Sequence, residues 1–153
     1  IHESRYQRQN FNSVDIGAYI ESLSRNLLMS YSLAGKIQLN TEVESVELSL
    51  DQAIPCGLLL NELISNALKH AFPNDAEGQI AISVKRTVDG VGITISDDGI
   101  GLPEGFDLAR DANLGLQLVT TLIGQVDGTL RLNRNKGTAY TITFAITPVR
   151  VPV

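Results

Sequence analysis

Between Ile16 and Ile146 the apolar residues switch repeatedly from the three-and-four spacing of a helix to the alternation of a strand. A chain patterned this way has to bury helix stripes against sheet faces. Ile16, Ile20, Leu23, Leu27 and Tyr31 share one helix face, with Ser13 and Asp15 as candidate caps and Gly35 as a stop. Ile37, Leu39 and Thr41 then alternate with polar residues, as do Val46, Leu48 and Leu50, which reads as two strands of a hairpin. A second helix runs to about Phe72 and is stopped by Pro73 and Asn74. Its cap is Ser49 or Asp51; Pro55 favours Asp51, because proline suits the first turn, where amides lack intrahelical partners.

Gln79 to Arg86 alternates through Ile80, Ile82 and Val84, and the Asp89-Gly90 pair predicts a tight hairpin into Val91, Ile93 and Ile95. The run DDGIGLPEGFDLARDAN that follows is a long loop for a compact domain, and such loops carry function. Leu116, Val119, Leu122 and Ile123 mark a short helix; Leu130 and Leu132, then Tyr140, Ile142, Phe144 and Ile146, mark two last strands. The expected fold is therefore α/β (α+β): a two-layer sandwich of about six strands in a mixed sheet with three helices on one face.

Composition narrows the function. The 153 residues suit one domain, and 12 Lys+Arg against 17 Asp+Glu give a net charge of −5. An acidic chain is a poor polynucleotide binder, so no nucleic-acid partner is expected, but net acidity does not exclude a nucleotide, because a metal ion can offset the local repulsion. Cys56 is the only cysteine, which excludes an internal disulfide framework and leans to a reducing, cytoplasmic location. No apolar run approaches the ~20 residues of a membrane span, so no membrane contact is expected of this chain. The chain begins at Ile1, and a longer parent protein is expected, with a possible membrane anchor elsewhere in it.

Four stretches carry chemistry. In NELISNALKHAF, Leu60, Ile64, Ala67 and Ala71 face a core, while Glu62, Asn66 and His70 recur every fourth residue on another face, with Lys69 beside them. A plain solvated face would carry the same residues. In ISDDGIGLP, Asp97 ends a strand and Gly99 and Gly101 follow, letting a ligand approach the backbone; an ordinary Asp-Gly turn reads alike. In NLGLQLV, Gly115 opens a helix whose free N–H groups suit phosphates. In KGTAYTITF, a Gly-Thr pair leads into the last strand. No Walker-type Gly-x-x-x-x-Gly-Lys-Ser/Thr loop is present.

The order of these pieces resembles the ATP-binding catalytic domain of a sensor histidine kinase, in the Bergerat-fold superfamily shared with gyrase and mismatch-repair ATPases. NELISNALKHAF resembles the asparagine box, DDGIGLP the first glycine box, NLGLQLV the second, and KGTAYTITF the last. The wording NALKHAFP, with a short lid and a single glycine in the second box, is most similar to the subfamily that pairs with a variant dimerisation domain; a sister subfamily is marked by a tryptophan that this chain lacks.

The resemblance implies ATP and Mg²⁺ as ligands. It implies that Asn66 coordinates Mg²⁺, that Glu62 polarises a metal-bound water or acts as a base, and that Lys69 and His70 position phosphates. Asp97 would accept from the adenine amine, Gly99 and Gly101 would let the nucleotide pass, and backbone amides of Gly115 and Leu116 would meet phosphates. Gly137 and Thr138 would lie behind the adenine, with Thr138 supporting Asp97 or a bound water. The loop from about Leu102 to Asn113 would be the lid; with only Phe106 and Leu108 available, the phenylalanine box of many relatives looks degenerate or absent.

The resemblance also implies domain limits: 1–12 as the tail of an upstream dimerisation helix, 13–147 as the catalytic domain and 148–153 as a tail. The partners implied are the chain's own dimerisation domain, which holds the phosphoacceptor histidine, and a response regulator. Of the two histidines, His70 falls in the ATP-site helix and His2 lies past the acceptor position. Two other readings are a stand-alone anti-sigma-type serine kinase on the same fold and a degenerate nucleotide-binding interaction module.

Overall fold

The computed structural model describes residues 13–31, 36–73 and 76–147. The expectations placed on 1–12, Gly35, Asn74 and 148–153 lie outside the described residues. In chain order the elements are β1 (Ser13–Asp15), α1 (Ile16–Ser30), β2 (Ile37–Val43), β3 (Glu47–Ser49), α2 (Leu50–His70), β4 (Gly78–Arg86), β5 (Gly90–Asp97), α3 (Leu108–Asp111), α4 (Leu114–Gln125), β6 (Thr129–Asn133) and β7 (Thr138–Ala145).

The main sheet has the order β2-β4-β5-β7-β6, with β2 parallel to β4 and the remaining pairs antiparallel. Register puts successive rows of side chains on one face: Val43, Val84, Ile93, Ile142 and Leu130, then Thr41, Ile82, Ile95, Tyr140 and Leu132. Helices α1, α2 and α4 cover that face, with α2 packed against both others. Leu59, Leu60, Leu63 and Ile64 of α2 and Val119 of α4 are sealed in the core. Full burial of each such side chain contributes about 1.5–3 kcal/mol. The opposite face is lined by small polar residues that pair across strands, as in Thr94 with Thr141 and Thr129 with Thr143.

The hairpin expected for the two early alternating runs does not form. β2 lies parallel to β4, and β3 pairs antiparallel with β1 in a separate ribbon, Val14 opposite Leu48. Alternation states which face a strand buries but not which strand lies beside it, and no Asn-Gly or Asp-Gly turn joins these runs. The Glu44 amide instead continues the pairing by donating to Val84, and its side chain accepts from the Arg86 amide at 2.7 Å.

The second helix also starts earlier than Asp51 would allow. Ser49 occupies the cap position with its hydroxyl buried and unbonded, and Leu50 is the first helical residue rather than a strand residue. Pro55 sits inside the helix, two residues deeper than a cap at Asp51 would put it, so the Asp51 carbonyl lacks its usual donor. Tertiary bonds hold this turn in place. The Gln52 amide donates to the Ala145 carbonyl at 2.7 Å and accepts from the Thr147 amide at 2.9 Å. Asp15, by contrast, caps α1 as its sequence suggests, accepting from Gly17 and Ala18.

Candidate functional site

A cavity of about 260 Å³ opens between α2, the ends of β5 and β7, and the 102–113 loop. Leu63, Asn66, Ala67 and His70 line it from α2; Ile95, Asp97, Thr138 and Tyr140 line it from the sheet. Gly101, Leu102, Phe106 and Asp111 belong to the loop side, and Asn113 and Leu116 to the start of α4.

Asp97 reaches this cavity because it ends β5 on the buried face, in the row of Ile80 and Thr138. Its neighbour Asp98 points elsewhere, accepting from the Gln79 amide at 2.7 Å. The Asp97 carboxylate accepts from the Gly99 amide at 2.9 Å. Burial raises its pKa above the usual carboxylate value; backbone N–H groups of Gly99 and Thr138 oppose the rise and the Asp98 charge adds to it. The result is a carboxylate with spare acceptor capacity at the head of an apolar pocket.

Two glycines hold this wall together. A Cβ at Gly99 would overlap the Ala71 carbonyl oxygen, and the same carbonyl accepts from the Ile100 amide at 2.9 Å. Gly99 thus lets the loop close onto the end of α2. Gly137 has φ +75°, and a Cβ there would overlap the Asp97 carbonyl oxygen. Neither glycine lines the cavity itself, whereas Gly101 does.

On α2, Asn66 and His70 face the cavity one turn apart. Glu62 lies a turn further back, against α4: a Cβ at Gly115 would sit 2.9 Å from its Oε2. Lys69 is exposed and outside the cavity lining. At the start of α4, the Asn113 side chain accepts from the Leu116 amide at 2.9 Å and its carbonyl accepts from Gln117. The Leu116 amide is therefore already used, and Leu114 and Gly115 carry the unclaimed amides of that helix end.

The 102–113 loop is a built structure. Asp107 caps the single-turn helix α3, which the sequence reading did not anticipate, and the Asp107 amide donates to Asp111. The Arg134 guanidinium, from the β6–β7 turn, donates to the carbonyls of Leu102, Pro103 and Phe106. Phe106, Leu108 and Ala112 pack on the core.

Asn66, His70, Asp97, Gly101, Leu116 and Thr138 are thus brought to one cavity, with Glu62 and Gly115 together beside it. Sequence reasoning did not assign Tyr140 or Asn113 to the site. The spacing of two from Thr138 on one strand face was the signal for the first, and an Asn before an apolar helical run the signal for the second.

Comparison with known proteins identifies the family and the fold. Residues 51–148 match the family described as histidine kinase-, DNA gyrase B-, and HSP90-like ATPase. The chain is 36% identical over 121 residues to the sensor histidine kinase PdtaS of Mycobacterium tuberculosis, covering 76% of this chain and 23% of that protein. It is 29% identical over 134 residues to blue-light-activated histidine kinase 2 of Erythrobacter litoralis, covering 87% of this chain and 38% of that protein. The chain thus spans well under half the length of both curated relatives. The solved histidine kinase domain of Erythrobacter litoralis EL346 superposes with a TM-score of 0.80 at 28% identity, over 87% of this chain and 62% of that one.

Proposed function

The chain belongs to the histidine kinase-, DNA gyrase B-, and HSP90-like ATPase family, and on that premise we propose that it binds ATP with Mg²⁺ as the catalytic domain of a two-component sensor histidine kinase. The observation that carries this reading is the Asp97 carboxylate at the head of an apolar cavity whose opposite wall presents Asn66 and His70. An acceptor in an apolar slot suits a flat base bearing an amine, and the polar end suits the phosphates.

In this reading the base lies among Leu63, Ile95 and Phe106, with Asp97 accepting from its exocyclic amine. Thr138 stands beside Asp97, and Gly99 and Gly137 fix the strand ends that hold both. The phosphates run past Gly101 to the open amides of Leu114 and Gly115 at the positive end of α4. His70 lines that path, and Lys69 supplies positive charge from outside the cavity.

Among the described residues no three His, Cys, Asp or Glu side chains cluster as metal ligands. The Asn66 oxygen suits Mg²⁺, which takes few protein ligands and completes its shell with water and phosphate oxygens. Mg²⁺ bound there would neutralise charge on the phosphates during transfer. Glu62, held against Gly115, would orient or deprotonate a group next to the γ-phosphate.

The acceptor would be a histidine in an upstream dimerisation domain, and a response regulator the next partner. Residues 13–147 would form the catalytic domain, 1–12 the tail of the dimerisation helix and 148–153 a tail. No helix among the described residues is long and apolar enough to cross a membrane; this reading places the domain in the cytoplasm. Calorimetric titration with ATP, with and without Mg²⁺, tests the proposal. Saturable binding with an affinity that rises with Mg²⁺ is expected, and the absence of any binding heat or competition by ADP would refute it.

A further inference from the structure

The cavity wall built by β5 and β7 carries a polar group that none of the glycine or asparagine motifs explains. Tyr140 lines the cavity at 7% exposure, and among the described residues its hydroxyl makes no hydrogen bond. Among the described residues only the Ser49 hydroxyl is both sealed and unbonded, so the Tyr140 hydroxyl is accessible rather than sealed in the core, and a tyrosine O–H without a protein partner on a cavity wall is available to whatever the cavity holds. Its place is fixed by register. Tyr140 pairs with Ile95 while Asp97 pairs with Thr138, so Tyr140 and Asp97 are diagonal neighbours on the same sheet face. Such diagonal positions lie about 7–8 Å apart, within reach of an aromatic side chain. Burial, followed by the Asp97 charge, raises the Tyr140 pKa and keeps the phenol protonated as a donor.

We infer that the Tyr140 hydroxyl reads the base, donating a hydrogen bond, directly or across one water, to the ring nitrogen adjacent to the amine that Asp97 accepts from. The inference rests on the ATP reading above. A carboxylate that only accepts beside a hydroxyl that donates matches the amine and N1 of adenine. Guanine reverses that pattern, presenting an oxygen to the carboxylate and an N–H beside it. Tyr140 is therefore a binding and specificity residue, and the aromatic ring alone would supply only its packing against Ile95 and Leu132.

The test is calorimetric titration of ATP and of 1-deaza-ATP, which lacks the N1 acceptor, into the chain and into its Tyr140→Phe and Asp97→Asn variants, each checked for a native melting curve. The expected result is that Tyr140→Phe weakens ATP roughly three- to tenfold, the effect of one hydrogen bond, and leaves 1-deaza-ATP unchanged. Equal weakening of both ligands would reduce Tyr140 to a packing role and overturn the inference. Unchanged ATP affinity in Tyr140→Phe, with loss in Asp97→Asn, would overturn it while leaving the base site standing. Unchanged affinity in both variants would overturn the ATP reading and the inference together.

Discussion

Asp97 and Thr138 stand directly opposite each other across the β5–β7 pair, on the buried face of the sheet and at the rim of the cavity. Each is held there by a glycine beside it: the Gly99 amide donates to the Asp97 carboxylate, and Gly137 passes under the Asp97 carbonyl with φ +75°. The pair puts a half-buried charge and an open hydroxyl at the end of an otherwise apolar row. A structural role alone has no use for that charge, because burial disfavours it.

Replacing Asp97 by Asn retains the shape and removes the charge-assisted acceptor. The loss of such a bond costs about 1.5–3 kcal/mol, or roughly ten- to hundredfold in ATP affinity. Titration calorimetry measures this, and an unchanged affinity would remove Asp97 from base recognition.

Asp97 also predicts a pH dependence. Its folded pKa is raised, so between the unfolded and folded values the native state binds the extra proton. Its stability contribution is thus fully present below the ordinary Asp pKa and declines as pH rises through the raised value. Above that window the ionised form is a standing cost, so Asp97→Asn should melt higher than the parent at pH 7 and lose this advantage in acid. Nucleotide affinity should run the other way, rising as Asp97 ionises. Melting curves across pH that are parallel for the two proteins would contradict this.

Asn66→Ala should weaken ATP binding more in the presence of Mg²⁺ than in EDTA, because the lost group is a metal ligand in the proposed arrangement. Equal losses under both conditions would count against metal ligation and favour a direct contact.

Gly137→Ala places a side chain in the left-handed region and against the Asp97 carbonyl oxygen. The conformational cost is roughly 1–2 kcal/mol, and the overlap adds to it, so urea denaturation should show a loss of at least about 2 kcal/mol. A change under ~0.5 kcal/mol, the usual range for a neutral surface substitution, would mean that β7 shifts freely at its start.

Incubation of the 153-residue chain with labelled ATP should leave it unphosphorylated. His70 lines the cavity as part of the proposed phosphate path, and the acceptor is expected in another domain. A stoichiometric, acid-labile phosphoprotein would overturn this expectation.

Much of the fold can be read from the residue pattern. The Ile80-Ile82-Val84 and Val91-Ile93-Ile95 alternations and the Asp89-Gly90 pair between them specify the β4–β5 hairpin, because local turn chemistry and local periodicity agree there. The placement of Asn66 and His70 on one face of α2 follows from helical spacing alone. The partner of β2 does not follow, since parallel pairing with β4 joins segments separated by a whole helix. Nor does the start of α2, where the long-range bonds of Gln52 to the end of β7 outweigh the local signals of Asp51 and Pro55.

What the sequence determined by itself was most of the elements and the residue types available to the site, which depend on spacing along the chain, together with a resemblance to the family carried by the order of its motifs. What only the tertiary structure decided was how those residues divide the work. Gly99 serves α2 packing, Lys69 stays outside the cavity, the Leu116 amide is taken by Asn113, and Tyr140 turns an unbonded hydroxyl towards the cavity. The reason is physical: periodicity fixes the direction of a side chain on its own element, whereas contacts depend on which other element is packed opposite, and that is settled by the fold as a whole.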